Sequence, residues 1–438
     1  MKGKISPAAA TRGPAGKSRL MDRRARDLIM GRLRALGWGK ITLREDSGSW
    51  TYGGQRAQDA PQVAVTIEDP RFYTSLVLGG SIGVAEAYMR GYWSCDDLPG
   101  LIRILVRNAS VLLSLEGGLA RLTRPARRLF HWLHRNTTRG SQWNIYAHYD
   151  LGDDFYTLFL DETMTYSSGI FETPKSTLAE ASIEKYDRIC RKLDLTSEDH
   201  VVEIGCGWGG FAIHAATRYG CRVTGTTISQ QQYDWATSQI SKLGLADRVR
   251  LLRQDYRDLE GVYDKLVSIE MIEAVGHQYL GHFLQNCSRL LKPEGLMALQ
   301  AITIADQRYA RHTRNVDFIK RYIFPGSCLV SVTALCQTAT QNTDLRAIHL
   351  EDISPHYAET LRRWRKAFFE KIDQVRALGF DQAFTRMWDF YLSYCEGAFE
   401  ERYIGDIQMV LAKPLYRQPS PKDAGRPAAP TREGGGAS

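Results

Sequence analysis

The ten residues Val201-Val202-Glu203-Ile204-Gly205-Cys206-Gly207-Trp208-Gly209-Gly210 constrain the fold more than any other stretch, because an apolar run of strand character empties into alternating glycines. Such a turn needs backbone angles that glycine adopts freely, and it lets a ligand approach the main chain at the head of a helix. The spacing Gly205-x-Gly207-x-Gly209 is shorter than the Gly-x-Gly-x-x-Gly of a dinucleotide fold, and no Lys-Ser/Thr follows as a phosphate-binding loop requires. Two readings stand for the loop by itself: a ligand seat, or a plain tight passage from strand to helix.

From residue 142 onward strands and helices alternate regularly, which predicts a mostly parallel sheet covered on both faces. The strand at 201–205 leads into a helix ending near Tyr219, with Gly220 just beyond it. A second strand at 221–226 precedes Ser229-Gln230-Gln231-Gln232, whose Ser-x-x-Gln spacing predicts a capping box. The helix that follows would set Tyr233, Ala236, Ile240 and Leu243 on one face. Strands at 249–252, 265–269 and 296–304 complete an α/β domain of Rossmann-like order, whose ligand sits beyond the carboxyl ends of the strands. The Arg-, Tyr- and Phe-rich insertion at 306–332 reads as a lid over a substrate pocket or as a structural flap.

With 438 residues the chain exceeds the roughly 250–300 at which single cores stop growing, so a second folded domain is expected. Residues 20–120 supply it: a helix near 22–36, strands at 40–43 and 63–67, then helices punctuated by glycine, together a smaller mixed α/β domain. The flanks 1–19 and 417–438, rich in Gly, Pro, Ala and Ser, read as disordered tails. Eight cysteines include no Cys-x-x-Cys and no zinc-type Cys/His cluster, which argues against a disulfide framework and a metal, and for a reducing, cytoplasmic compartment. The basic N-terminus lacks the apolar stretch of a secretory signal, and its arginine-rich, acid-poor character leaves an organellar transit peptide open.

A net charge of +8 calls for an anionic partner. The linker 121–141 carries Arg121, Arg124, Arg127, Arg128, Arg135 and Arg139 without an acid, interleaved with Leu122, Leu129, Phe130, Trp132 and Leu133. That pattern suits a membrane interface, or a solvated helix packed on its own domain. No run approaches the roughly 18 apolar residues that span a bilayer, so contact with lipid would be peripheral, at the inner face of the membrane. Nucleic acid is disfavoured, because no base-flipping Asn/Asp-Pro-Pro-Tyr motif is present.

Several further segments resemble the cyclopropane-fatty-acyl-phospholipid synthase family, which includes the mycolic acid cyclopropane synthases. They are Ala147-His148-Tyr149-Asp150-Leu151-Gly152-Asp153-Asp154-Phe155-Tyr156, Thr165-Tyr166-Ser167-Ser168-Gly169-Ile170-Phe171, Gln254-Asp255-Tyr256-Arg257-Asp258, Val267 through Gly276, and Ile323-Phe324-Pro325-Gly326. Gly80-Ser81-Ile82-Gly83-Val84-Ala85-Glu86-Ala87-Tyr88-Met89-Arg90-Gly91-Tyr92-Trp93 is similar to the N-terminal domain of the members that act on phospholipids. The resemblance covers residues 60–415 and implies S-adenosyl-L-methionine (SAM) as co-substrate. Tyr166 and Ser167 would face its methionine end, with Glu203, Gly205 and Gly207 behind; Thr227 and Gln232 would serve the sugar, and Tyr256 the adenine.

The resemblance further implies methyl transfer to the double bond of unsaturated acyl chains in anionic membrane phospholipids. Aromatic faces, with Tyr166, Tyr322, Phe324 and Tyr357 as candidates, would stabilise the resulting carbocation. A bound bicarbonate would then take a proton, held by Glu273, the Ile302 backbone and Tyr357, together with Ser168 and Gln300. Ser168 and Gln300 stand where the family has Cys and His, and Ala274 replaces a second His. A cyclopropane, a methylated alkene or a methyl-branched chain are the open outcomes, with a small-molecule N-methyltransferase or a non-catalytic lipid-binding relative as the other classes. A homodimer is among the expected assemblies.

Overall fold

A computed structural model describes residues 15–54, 60–109 and 151–417. The basic linker at 121–141, Ala147 to Asp150 and most of both expected tails lie outside the described residues.

Helix α1 (Ala15–Leu33) begins inside the stretch read as a tail, because Ala25, Ile29 and Leu33 recur every fourth residue and bury one face. Strands β1 (Lys40–Glu45), β2 (Gly48–Gly53), β3 (Gln62–Ile67) and β4 (Trp93–Cys95) form a sheet in the order β2-β1-β3-β4. Ile41 and Leu43 turn inward at the two-residue period of a strand. β2 turns Trp50 and Tyr52, and β4 Trp93 and Cys95, to the core at the same period, but each run is too short to mark a strand in the sequence. Helix α2 (Arg71–Met89) kinks at Gly80, whose φ of 57° and ψ of −141° lie outside the helical region. Helix α3 (Leu98–Arg107) is capped by Asp97, which accepts from Gly100 N–H at 2.9 Å.

The second sheet contains β5 (His200–Ile204), β6 (Arg222–Thr227), β7 (Val249–Arg253), β8 (Tyr263–Ile269), β9 (Leu291–Ile304), β10 (Arg346–Asp352) and β11 (Ile404–Ala412). Their order is β10-β11-β9-β8-β5-β6-β7. β5 to β9 pair in parallel, whereas β11 runs antiparallel to both neighbours. One edge of the sheet therefore gathers the ends of β5, β6, β8 and β9 together with the start of β11. The α/β, Rossmann-like expectation holds, and ligands of such sheets bind along that edge.

Two local expectations are corrected. Ser229 does cap its helix (Gln230–Lys242), accepting from Gln232 N–H at 3.4 Å, but the reciprocal bond of a capping box is missing. The Gln232 side chain instead accepts from the Thr227 hydroxyl at 2.9 Å. Leu243 follows the last helical residue and is 57% exposed; Leu245 packs on the core in its place.

The four-stranded unit packs on helix Gln382–Glu400, and one hydrophobic cluster runs from Ile41 and Trp93 to Trp364 and Trp388. Gly397 permits the approach, since a Cβ there would stand 2.8 Å from Ile102 Cβ. The polar part of the junction is specific. Tyr88 donates to Asp389 Oδ2 at 2.5 Å, Arg365 donates to its other oxygen at 2.7 Å, and Arg386 donates to the carbonyls of Tyr88 and Trp93. Tyr88→Phe removes one bond to a carboxylate that retains Arg365. A loss of about 1–2 kcal/mol is expected in urea unfolding, with SAM affinity unchanged.

Candidate active site

A cavity of about 840 Å³ opens at the carboxyl edge of the seven-stranded sheet and continues into the core of the four-stranded unit. All eight residues expected around the co-substrate line it: Tyr166, Ser167, Glu203, Gly205, Gly207, Thr227, Gln232 and Tyr256. Its far reach is apolar, walled by Ile29, Leu33, Ile41, Leu43, Val65 and Phe72. The insertion 306–332 contributes Phe318, Phe324 and Leu329 to the wall.

The glycines of the turn differ in their surroundings. Gly205 (φ 84°) and Gly209 (φ 87°) serve the tight passage, because Cβ atoms there would meet Met271 Cγ at 2.6 Å and Ala236 Cβ at 3.0 Å. Gly207 (φ 52°) faces open space, and a side chain there would enter the cavity. Beside it, Glu203 is 2% exposed, and its Oε2 has no hydrogen-bond partner. Burial pushes its carboxyl up to about 8, against the opposing charge of Lys185. Lys185 is fully buried, drawn down to about 8 by burial, and donates to Ser167 Oγ at 2.6 Å.

The centre of the site is a residue that the motifs did not single out. Glu270 follows the last residue of β8 with φ 48°, a left-handed conformation that is costly for a residue with a Cβ. It faces the cavity. Its Oε1 accepts from Ser168 N–H at 2.9 Å and Gln300 Nε2 at 2.8 Å; its Oε2 accepts from the Tyr357 hydroxyl at 2.6 Å. Burial raises its pKa, and Tyr357, Lys185, Ser168 and Gln300 counter that rise.

Three of the five groups expected to hold bicarbonate therefore converge on a carboxylate of the chain itself. Ser168 takes part through its backbone only, since its side chain is fully buried and donates to the Gly169 carbonyl at 3.0 Å. Gln300 is 1% exposed and stands behind Glu270, away from the cavity. The remaining two form a second pair: Glu273 Oε1 accepts from Ile302 N–H at 2.5 Å, while Glu273 Oε2 lacks a partner. Burial and the charge of Glu270 raise Glu273 to about 8.

Gln300 and Gln408 share a fixed orientation. Lys192 Nζ donates to Gln408 Oε1 at 2.6 Å, Gln408 Nε2 donates to Gln300 Oε1 at 3.1 Å, and Gln300 Nε2 faces Glu270 and Asp406. An ammonium can only donate, so it sets which end of each amide faces inward.

Of the expected aromatic groups, Tyr166, Phe324 and Tyr357 line the cavity, joined by Tyr391, whose hydroxyl lies 3.1 Å from that of Tyr166. Tyr322 is corrected: it turns to the four-stranded unit, donates to Glu86 Oε1 at 2.6 Å and does not line the cavity. Buried carboxyls and π faces around one void favour a cation, and the open Gly207 wall leaves room for the rest of a nucleoside. These features fit the sulfonium and methionine end of SAM, which Tyr166, Ser167, Glu203 and Gly207 would hold.

Comparison with known proteins places the chain in a family. The mycolic acid cyclopropane synthetase family matches residues 136–409. The chain is 38% identical over 354 residues to the tuberculostearic acid methyltransferase of Mycobacterium tuberculosis, covering 76% of this chain and 79% of that protein. It is 33% identical over 352 residues to the cyclopropane-fatty-acyl-phospholipid synthase of Escherichia coli K12, covering 80% and 87%. The solved mycolic acid cyclopropane synthase with bound S-adenosylhomocysteine superposes with a TM-score of 0.58 at 32% identity, over 62% of this chain and 98% of that one. On the family match over most of the chain and the identity to these relatives, the chain belongs to the mycolic acid cyclopropane synthetase family and is a SAM-dependent methyltransferase.

Proposed function

We propose that the protein transfers a methyl group from SAM to the double bond of unsaturated acyl chains in membrane phospholipids. In this reading Glu270 serves as the proton acceptor in place of bound bicarbonate, and the product is a methylated alkene. The observation that carries it is the convergence of Ser168 N–H, Gln300 and Tyr357 on Glu270, which takes up three donors that a free anion would need. The apolar reach of the cavity supports an acyl chain over a soluble amine. Two relatives carry names that fit: the tuberculostearic acid methyltransferase, and a probable fatty acid methyltransferase of Pseudomonas putida that is 31% identical over 360 residues.

When bound, SAM supplies an electrophilic methyl group, strong enough to react with an isolated alkene without a metal or a covalent residue. The chain's part is to align the alkene, exclude water and surround the developing positive charge with Tyr166, Phe324, Tyr357 and Tyr391. Glu270 then accepts a proton from the acyl chain. A base fixed behind the reacting carbons, and held by three donors, removes a proton from one defined position.

The test is mass spectrometry of lipids after incubating the protein with SAM and vesicles of monounsaturated phospholipid in bicarbonate-depleted buffer. A gain of one CH₂ with the double bond retained is expected. Loss of the double bond by ring formation would overturn the product assignment, and lipid of unchanged mass would overturn the substrate.

A further inference from the structure

Asp406 has no part in any assignment made so far. It sits near the start of β11, paired with Ile302 across the antiparallel junction with β9, and is fully buried. Its Oδ2 accepts from Gln300 Nε2 at 3.0 Å, the same nitrogen that donates to Glu270 at 2.8 Å. Two carboxyls thus stand side by side on one amide. They differ sharply in support: Glu270 accepts three hydrogen bonds, whereas the Asp406 side chain accepts one and its Oδ1 has no partner. Two like charges this close in a dry interior are not both retained, and the proton goes to the oxygen whose anion is least supported.

We propose that Asp406 is a proton-holding partner of Glu270: the pair carries one proton at rest, that proton resides on Asp406, and Glu270 is thereby kept ionised as the acceptor. This rests on the reading of Glu270 given above. In turnover a C–H bond of the acyl chain breaks, its electron pair becomes the new C=C bond, and Glu270 takes the proton. The pair then holds two protons, one of which leaves to solvent before the next cycle.

The groups facing the pair are Glu273 from the turn after β8, Lys185 from helix Leu178–Lys192, Tyr357 from helix Ser354–Glu370 and Tyr391 from helix Gln382–Glu400. Burial first, then the charges of Glu270 and Glu273, raise Asp406 well above the usual carboxylate range, and Lys185 opposes them. A carboxyl raised on folding favours the folded state at low pH. That contribution is lost as pH climbs from the unfolded value near ~4 toward the raised folded one.

The experiment compares wild type with Asp406→Asn in two readouts that need no substrate, so failure of the acyl-methylation reading leaves it intact. Melting temperature is followed from acid to mildly alkaline pH. The variant should match wild type at the acid end and exceed it increasingly as pH rises. Difference infrared spectra should show a protonated carboxylic-acid C=O band in wild type that is missing from the variant. A variant that melts lower at every pH, a pH-independent offset, or an unchanged band would overturn the proposal. Asp406→Ser offers the same infrared comparison if the Asn variant does not fold.

Discussion

Glu270→Ala is expected to lower the methylation rate by roughly 100- to 10,000-fold, the span a positioned general base contributes, while leaving SAM affinity nearly unchanged. The reasoning is geometric. Alanine removes the carboxylate but leaves Ser168 N–H, Gln300 Nε2 and the Tyr357 hydroxyl pointing at the emptied volume. Bicarbonate, a planar anion with three oxygens, matches those three donors, so adding it should restore part of the rate. Glu270→Gln fills the same volume with a neutral group and should be equally slow without rescue. The measurement is methyl transfer into lipid from labelled SAM, with and without added bicarbonate. An alanine variant that is fully active in bicarbonate-depleted buffer would remove Glu270 from the reaction.

Two neighbouring glycine substitutions should fail in different ways. Gly205→Ala adds a Cβ 2.6 Å from Met271 Cγ at a φ of 84°, so the backbone is strained and the turn carrying Glu270 and Glu273 must move. A cost of about 1–3 kcal/mol is expected from the left-handed backbone alone, seen as a lower melting temperature, together with reduced turnover. Gly207→Ala meets no protein atom within 4 Å, but its methyl group points into the cavity. Its melting temperature should fall less, while SAM binding weakens by roughly 10- to 100-fold, because the added atom occupies the ligand's side of the turn. Thermal unfolding and calorimetry on both variants check the contrast. Equal losses of stability with equal SAM affinities would show that Gly207 does not back the ligand.

Strands β5, β8 and β9 were legible because burial on both faces leaves an apolar run, whereas β6, with Val223 its one large apolar residue, was placed by Gly220 before it and the Ser229 cap after it. β10 carries no such run and is largely exposed, and β11, though buried, lies behind a helix-rich stretch that breaks the alternation. Missing β11 hid Asp406, since only an antiparallel strand brings its first residues to the edge where parallel strands end. Glu270 left a fainter trace: an acid directly after a strand read to end at Ile269. That signal places a carboxyl at the ligand edge, and sequence spacing has no means of showing which donors converge on it. Motif matching named Ser168 and Gln300 correctly as neighbours of the site, but placed their side chains in the cavity when they stand behind its wall.

Lys192 is only partly enclosed and also pairs with Glu351, nearer the surface, yet it anchors one end of a chain of two buried amides. Were its charge removed, Glu270 and Asp406 alone would hold Gln300, and through it Gln408, in their present sense. A reversed Gln300 would confront Glu270 and Asp406 with its carbonyl oxygen, acceptor against acceptors. The polarity around Glu270 is thus pinned from both ends, by its own carboxyl pair and by one ammonium group two glutamines away.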